Sequence, residues 1–127
     1  MSTVRELHER AMDIAHEAVA VRDFAQDVSK ARGLFERAYK LERDAAFLVP
    51  EGERAEPTRS ILFRSAASLA LQANLHNEAF RLVGEGMSGH PPPHILHDLL
   101  ELIDEIRNSA PFIKQNGVQK QRAIVEL

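Results

Sequence analysis

The chain has 127 residues, the length of a single domain, and 44% hydrophobic residues, enough for a core. A formal net charge of −3 argues against a general grip on polyanions, which normally takes a basic excess. The absence of cysteine excludes disulfides, thiolate metal sites and a cysteine nucleophile.

The stretch from Met1 to Arg10 has no apolar core of a secretory signal. No apolar run approaches the roughly 18 residues of a membrane span. The expected setting is therefore cytoplasmic, with no membrane partner and nucleic acid disfavoured. Ala, Leu, Glu and Arg are common, β-branched residues are sparse and aromatics make up 6%. That balance favours helix over strand.

The first predicted helix opens at Thr3-x2-Glu6, the pattern of a capping box. Val4, Leu7, Ala11, Ile14, Ala18, Val21 and Ala25 then recur at alternating three- and four-residue spacing, one helix face. Met12, Val19 and Phe24 lie off that stripe and predict contacts on a second side or pairing with another chain. Asp27 is placed to cap a second helix with Ala31, Leu34, Phe35, Ala38, Leu41, Ala45 and Leu48 inward. Val49-Pro50-Glu51-Gly52 breaks it, and Glu51 to Glu56 reads as a loop.

Pro57 suits the first turn of a third helix. Its inward residues are Ile61, Leu62, Ser65, Ala66, Leu69, Ala70 and Ala73, and its abundance of Ala and Ser predicts close helix packing. A turn at Asn74 to Asn77 leads to a fourth helix with Ala79, Phe80, Leu82, Val83 and Met87. Gly84 and Gly86 each cost that helix about 1 kcal/mol relative to Ala, a cost that close backbone approach can offset. Gly89 to Pro93 forms the connection to a fifth helix from Pro92 to Arg107. There Ile95, Leu99, Leu102 and Ile106 make the main stripe, Leu96, Leu100 and Ile103 widen it, and Asn108 and Pro111 stop the helix. Residues 110–127 form a tail with Lys114, Lys120 and Arg122 against Glu126. Within it, Asn116-Gly117 suits a tight turn, and a short helix after Gly117 or a disordered tail are the alternatives.

Residues 60–91 resemble a tetratricopeptide repeat. Phe63 takes the first aromatic position, Ala66 and Ala67 the large residue and the Gly, and Ala70 the Tyr. Ala79 is the packing Ala, Val83 stands at the second aromatic position, Gly86 at the second small position and Pro91 at the closing Pro. Residues 12–43 echo the pattern, with Ala31-x3-Phe35-x2-Ala38-Tyr39 on the second helix and Ala15 and Ala18 on the first. The resemblance implies an all-α domain over residues 1–109. About five antiparallel helices would stack as hairpins in a right-handed superhelical array, the fifth capping the second hairpin. A plain antiparallel bundle remains open.

The family's first helices line a concave groove, and one subclass clamps a peptide carboxylate there with basic and amide side chains. By that resemblance Arg64 and Ser68 fall on the clamp positions, with His16 and Ala20 at the matching places of the first repeat. Arg59 and Gln72 flank them on the third helix. The partner-binding candidates are therefore Arg59, Arg64, Ser68, Gln72 and His16, and Arg64 can hold a carboxylate by a bidentate pair.

Catalytic patterns are weak. Ser65 and Ser68 have no base or oxyanion hole suggested beside them. Gly84-x-Gly86-x2-Gly89 lies late in a helix rather than between a strand and a helix, so it does not read as a phosphate loop. His8 and His16 read as surface residues. His90, His94, His97, Asp98 and Glu101 place imidazole and carboxylate one turn apart, a pattern a divalent metal can use; a solvated helix face is the competing reading. The expectation is a non-catalytic adaptor that binds a protein or peptide, with no cofactor and no metal. The alternatives are a self-associating structural protein, a homodimer, and a small metal-binding bundle.

Overall fold

A computed structural model describes residues 2–109. The expectations for residues 110–127 lie outside these described residues. The fold is all-α, with five helices among the described residues: α1 (Val4–Asp23), α2 (Val28–Leu48), α3 (Thr58–Gln72), α4 (His76–Met87) and α5 (Pro93–Ser109). A short 3-10 turn, Glu53–Ala55, interrupts the loop between α2 and α3. No strand occurs among the described residues.

Local chemistry sets the helix ends. The Thr3 hydroxyl accepts from the Glu6 amide at 3.1 Å, and the Glu6 carboxylate accepts from the Thr3 amide at 3.1 Å. This is the expected capping box, and removing such a cap costs about 1 kcal/mol. At α2 the Asp27 carboxylate accepts from the Lys30 amide at 3.0 Å. α3 closes with Asn74 in the left-handed region, φ 63°, which Asn tolerates better than most residues. The Leu75 amide then reaches the Ala70 carbonyl and the Asn74 amide reaches that of Leu71, both at 2.9 Å, satisfying carbonyls that the helix end leaves open.

Extensive packing joins each helix to the next, and α3 also touches α5. α1 and α5 do not pack on one another to that extent, so the helices form a stack rather than a closed bundle. α3 sits in the middle. Its Leu62, Phe63, Ala66, Ala67, Leu69 and Ala70 are all buried, with α2 on one side and α4 on the other. Alanine on both faces lets two helices approach α3 at once. Phe63 is wholly buried, and Phe47 meets it edge-on at a centroid distance of 5.0 Å.

Gly86 accounts for the third approach. A Cβ there would lie 3.2 Å from the Phe63 Cβ and 3.3 Å from the Leu99 Cδ1, so glycine lets α4 lie against α3 and α5 without displacing either side chain. Gly84 differs from expectation: it is exposed and nothing lies within 4 Å of where its Cβ would be.

Other expectations shift. α1 ends at Asp23, leaving Ala25 outside it, and the face it buries is Leu7, Ala11, Ala15 and Ala18, with Ile14 only half-buried. α1 packs chiefly on α2, and Met12 beside this face is half-buried. α5 runs on through Asn108 to Ser109, where the Ser109 hydroxyl donates to the Glu105 carbonyl at 2.7 Å. Phe80 on α4 and Leu48 at the end of α2, both expected inward, are 53% and 49% exposed.

Candidate functional site

α1, α3 and α5, the alternate helices of the stack, line an open groove of about 400 Å³. α2 and α4 contribute nothing to its lining. Met12 and Ala15 come from α1, Arg64, Ser65, Ser68 and Leu69 from α3, and Asp98, Glu101, Leu102 and Glu105 from α5. The floor is apolar and the walls are polar, because each helix turns one stripe to the core and the neighbouring turn positions to the groove.

Two of the expected residues meet here. Arg64 and Ser68 stand one turn apart on α3 and both line the groove. Arg64 does not point free into it: its Nη1 donates to Asp98 Oδ2 at 2.6 Å, across the groove from α3 to α5. Both side chains are partly exposed, 34% and 42%.

The other three lie elsewhere. Arg59 is not on the exposed face. Its side chain is 4% exposed, its guanidinium lies 4.7 Å over the Phe63 ring, and it donates to the Glu85 carbonyl at 3.2 Å and to Glu51 at 3.3 Å. It ties the loop after α2 to α4, and Gly89 is the residue whose missing side chain leaves room for its Nη1. Gln72 is exposed at the end of α3, where its Oε1 accepts from Arg22 Nη1 at 3.0 Å. Arg22 in turn lies 5.6 Å over the Phe35 ring and holds the Asp23 carboxyl below its ordinary range through a 2.8 Å hydrogen bond. His16 is exposed on α1 but does not line the groove.

The histidine-carboxylate cluster also separates. Among the described residues no group of three or more His, Asp or Glu side chains is placed to hold a metal ion. His97 Nε2 pairs with Glu101 at 2.7 Å, Asp98 is engaged by Arg64, and the His90 amide bonds to Glu56 at 3.1 Å.

The sequence reading did not foresee Asp98 and Glu105 as groove residues, nor the burial of Glu42. Asp98 had one signal: it stands 34 residues after Arg64, the length of a tetratricopeptide repeat. Glu42 is wholly buried in α2, and both its oxygens meet His8 Nδ1, at 2.8 and 3.0 Å. An ionised carboxylate only accepts, so Nδ1 is then the donor. Tyr39, nearby on α2, donates to Glu78 Oε2 at 2.6 Å; burial and this carboxylate neighbour push its hydroxyl above the usual value and keep it a donor.

Comparison with protein-family models finds no match, and comparisons with curated proteins and with solved structures find none either.

Proposed function

We propose that this chain is a non-catalytic, tetratricopeptide-repeat-like adaptor that binds a protein or peptide segment along the groove of α1, α3 and α5. The observation that carries this reading is the alternation: every second helix lines one open groove, while the helices between them stand behind it. A 34-residue recurrence supports it. Arg64 meets Asp98 and Glu56 meets His90 across that same interval, as equivalent positions of consecutive repeats would. The groove is shallow and polar-walled, which suits a chain segment more than a small molecule. No partner other than a protein or peptide is invoked, and the setting is cytoplasmic.

A photo-crosslinking residue placed at Ser68, in the groove, tests the reading against one placed at Arg37, exposed on α2. The expected result is a discrete protein adduct from position 68 that excess unlabelled chain suppresses, and none from position 37. Equal capture at both positions, or none at 68, counts against it.

Self-association is a second reading, favoured by a different surface. Phe24 is 87% exposed and Val28 60% exposed where α1 turns into α2. Light scattering on the native chain and on Phe24→Asp decides it: a homodimer that the substitution dissolves supports this reading, and a monomer at high concentration removes it.

A further inference from the structure

The sequence suits Arg64 to clamping a carboxylate, but in the fold Asp98 already pairs with that guanidinium. The charge remaining in the groove has the opposite sign. Glu101 and Glu105 follow Asp98 along the same side of α5. His97 pairs with Glu101, and the Glu105 carboxylate makes no ion pair among the described residues. Beneath this acidic wall lies the apolar floor of Met12, Ala15, Leu69 and Leu102. A segment that fits is basic along one edge and apolar along the other.

This chain carries such a segment. Residues 110–127 hold Lys114, Lys120 and Arg122 against the one acidic residue Glu126, interleaved with Phe112, Ile113, Val118 and Ile124. They begin where the groove ends. Glu105 lines the groove and also an adjoining depression shared with Asn108 and Ser109, the last described residue. From Asp98 to Glu105 the acidic wall spans about 10 Å at the helical rise. Residues 110–127 reach several times that length at about 3.3 Å per residue, enough to leave α5 and turn back.

We propose that residues 110–127 occupy the groove of their own chain, basic side chains against Glu101 and Glu105 and apolar ones on the floor, so that a partner binds by displacing them. The proposal rests on the groove being the binding face. A tethered segment holds the groove at an effective concentration on the order of millimolar, so it competes even when its intrinsic affinity is weak. Partner binding is then governed by the displacement of a basic segment and strengthens when its charges are removed.

The absence of cysteine makes introduced pairs unambiguous. In the full chain carrying Ser68→Cys and Gln119→Cys, oxidation should form an intramolecular disulfide. It should form at least about ten-fold faster than in a Lys40→Cys, Gln119→Cys control, whose first thiol is on α2, because only the groove concentrates the segment. Adding Lys114→Glu, Lys120→Glu and Arg122→Glu should bring the rate down to the control's. Ser68 and Lys40 are both exposed, so circular dichroism should show unchanged helix in every variant. Equal rates at the two positions, disulfides that join two chains, or indifference to charge reversal overturns the proposal. The readout needs no partner, so its failure leaves the adaptor reading standing. Failure to capture a partner at Ser68 likewise leaves the disulfide result intact.

Discussion

Glu56 fastens three parts of the chain with one carboxylate. Oε1 accepts from the Ser60 amide at 3.0 Å in the first turn of α3, and Oε2 from the His90 amide at 3.1 Å in the connection to α5. Burial alone would raise its pKa. The hydrogen bonds from Ser60 and His90 and the charge of Arg59 outweigh that effect and hold the carboxyl below its ordinary value of 4.5. The sign follows from linkage: a lowered folded-state pKa means that the unfolded chain takes the proton first as pH falls. The stability Glu56 contributes is complete above about 4.5 and is lost as pH drops through the lowered value. Glu56→Gln should therefore be less stable at neutral pH and show a flatter loss of urea midpoint on acidification; parallel acid limbs in the two proteins would contradict this. Glu42 is a second case. His8→Leu strips a wholly buried carboxylate of its partner and should cost about 1–3 kcal/mol in urea unfolding. Adding Glu42→Met to that variant should recover most of the loss, because an apolar pair leaves nothing unsatisfied. Neither residue stands out in the sequence. A carboxylate that will be buried looks like any other when its partner is 34 residues away.

The two glycines of α4 make the same point for a helix. Both sit in the last two turns, yet only Gly86 meets neighbours. Gly84→Ala should stabilise the chain by about 0.5–1 kcal/mol through the better helix former. Gly86→Ala pushes a methyl group onto Phe63 and Leu99 and should destabilise by about 1–3 kcal/mol, as overpacking does. Thermal unfolding of the two variants should move in opposite directions, and a shared direction would show that α4 packs otherwise. What was legible at this scale was local. Thr3 and Glu6, Asp27, and the Val49-Pro50 break mark their helix ends through contacts within a few residues. Asn108 misled because its helix penalty is small against the burial of Ile106 two residues before it. In the groove, Arg64 and Ser68 are picked out by the resemblance to the repeat family, and their spacing of four puts them on one helix face. Asp98 needed the repeat interval, and Arg59 was misplaced because periodicity does not tell a guanidinium buried over a phenyl ring from one in water.

Across the whole molecule, support is uneven. Among the described residues α3 is covered on both sides, while α1 and α5 each have an outer face without a helix against it. In a stack where stability is a sum of neighbour contacts, opening should begin at the ends. Native-state hydrogen exchange should give α3 the slowest amides, with protection falling toward the start of α1 and the end of α5. Uniform protection along the five helices would instead indicate one cooperative block.

The same neighbour-only packing has a bearing on how such a chain can change over generations. A closed bundle fixes its helix number, since a further helix has no place in the ring. Here Leu100 stands 48% exposed on the outer side of α5, and the inner contacts of α2, α3 and α4 would be untouched by anything laid against it. A duplicated hairpin could join at that end and lengthen the groove by one wall, without any revision of the existing core.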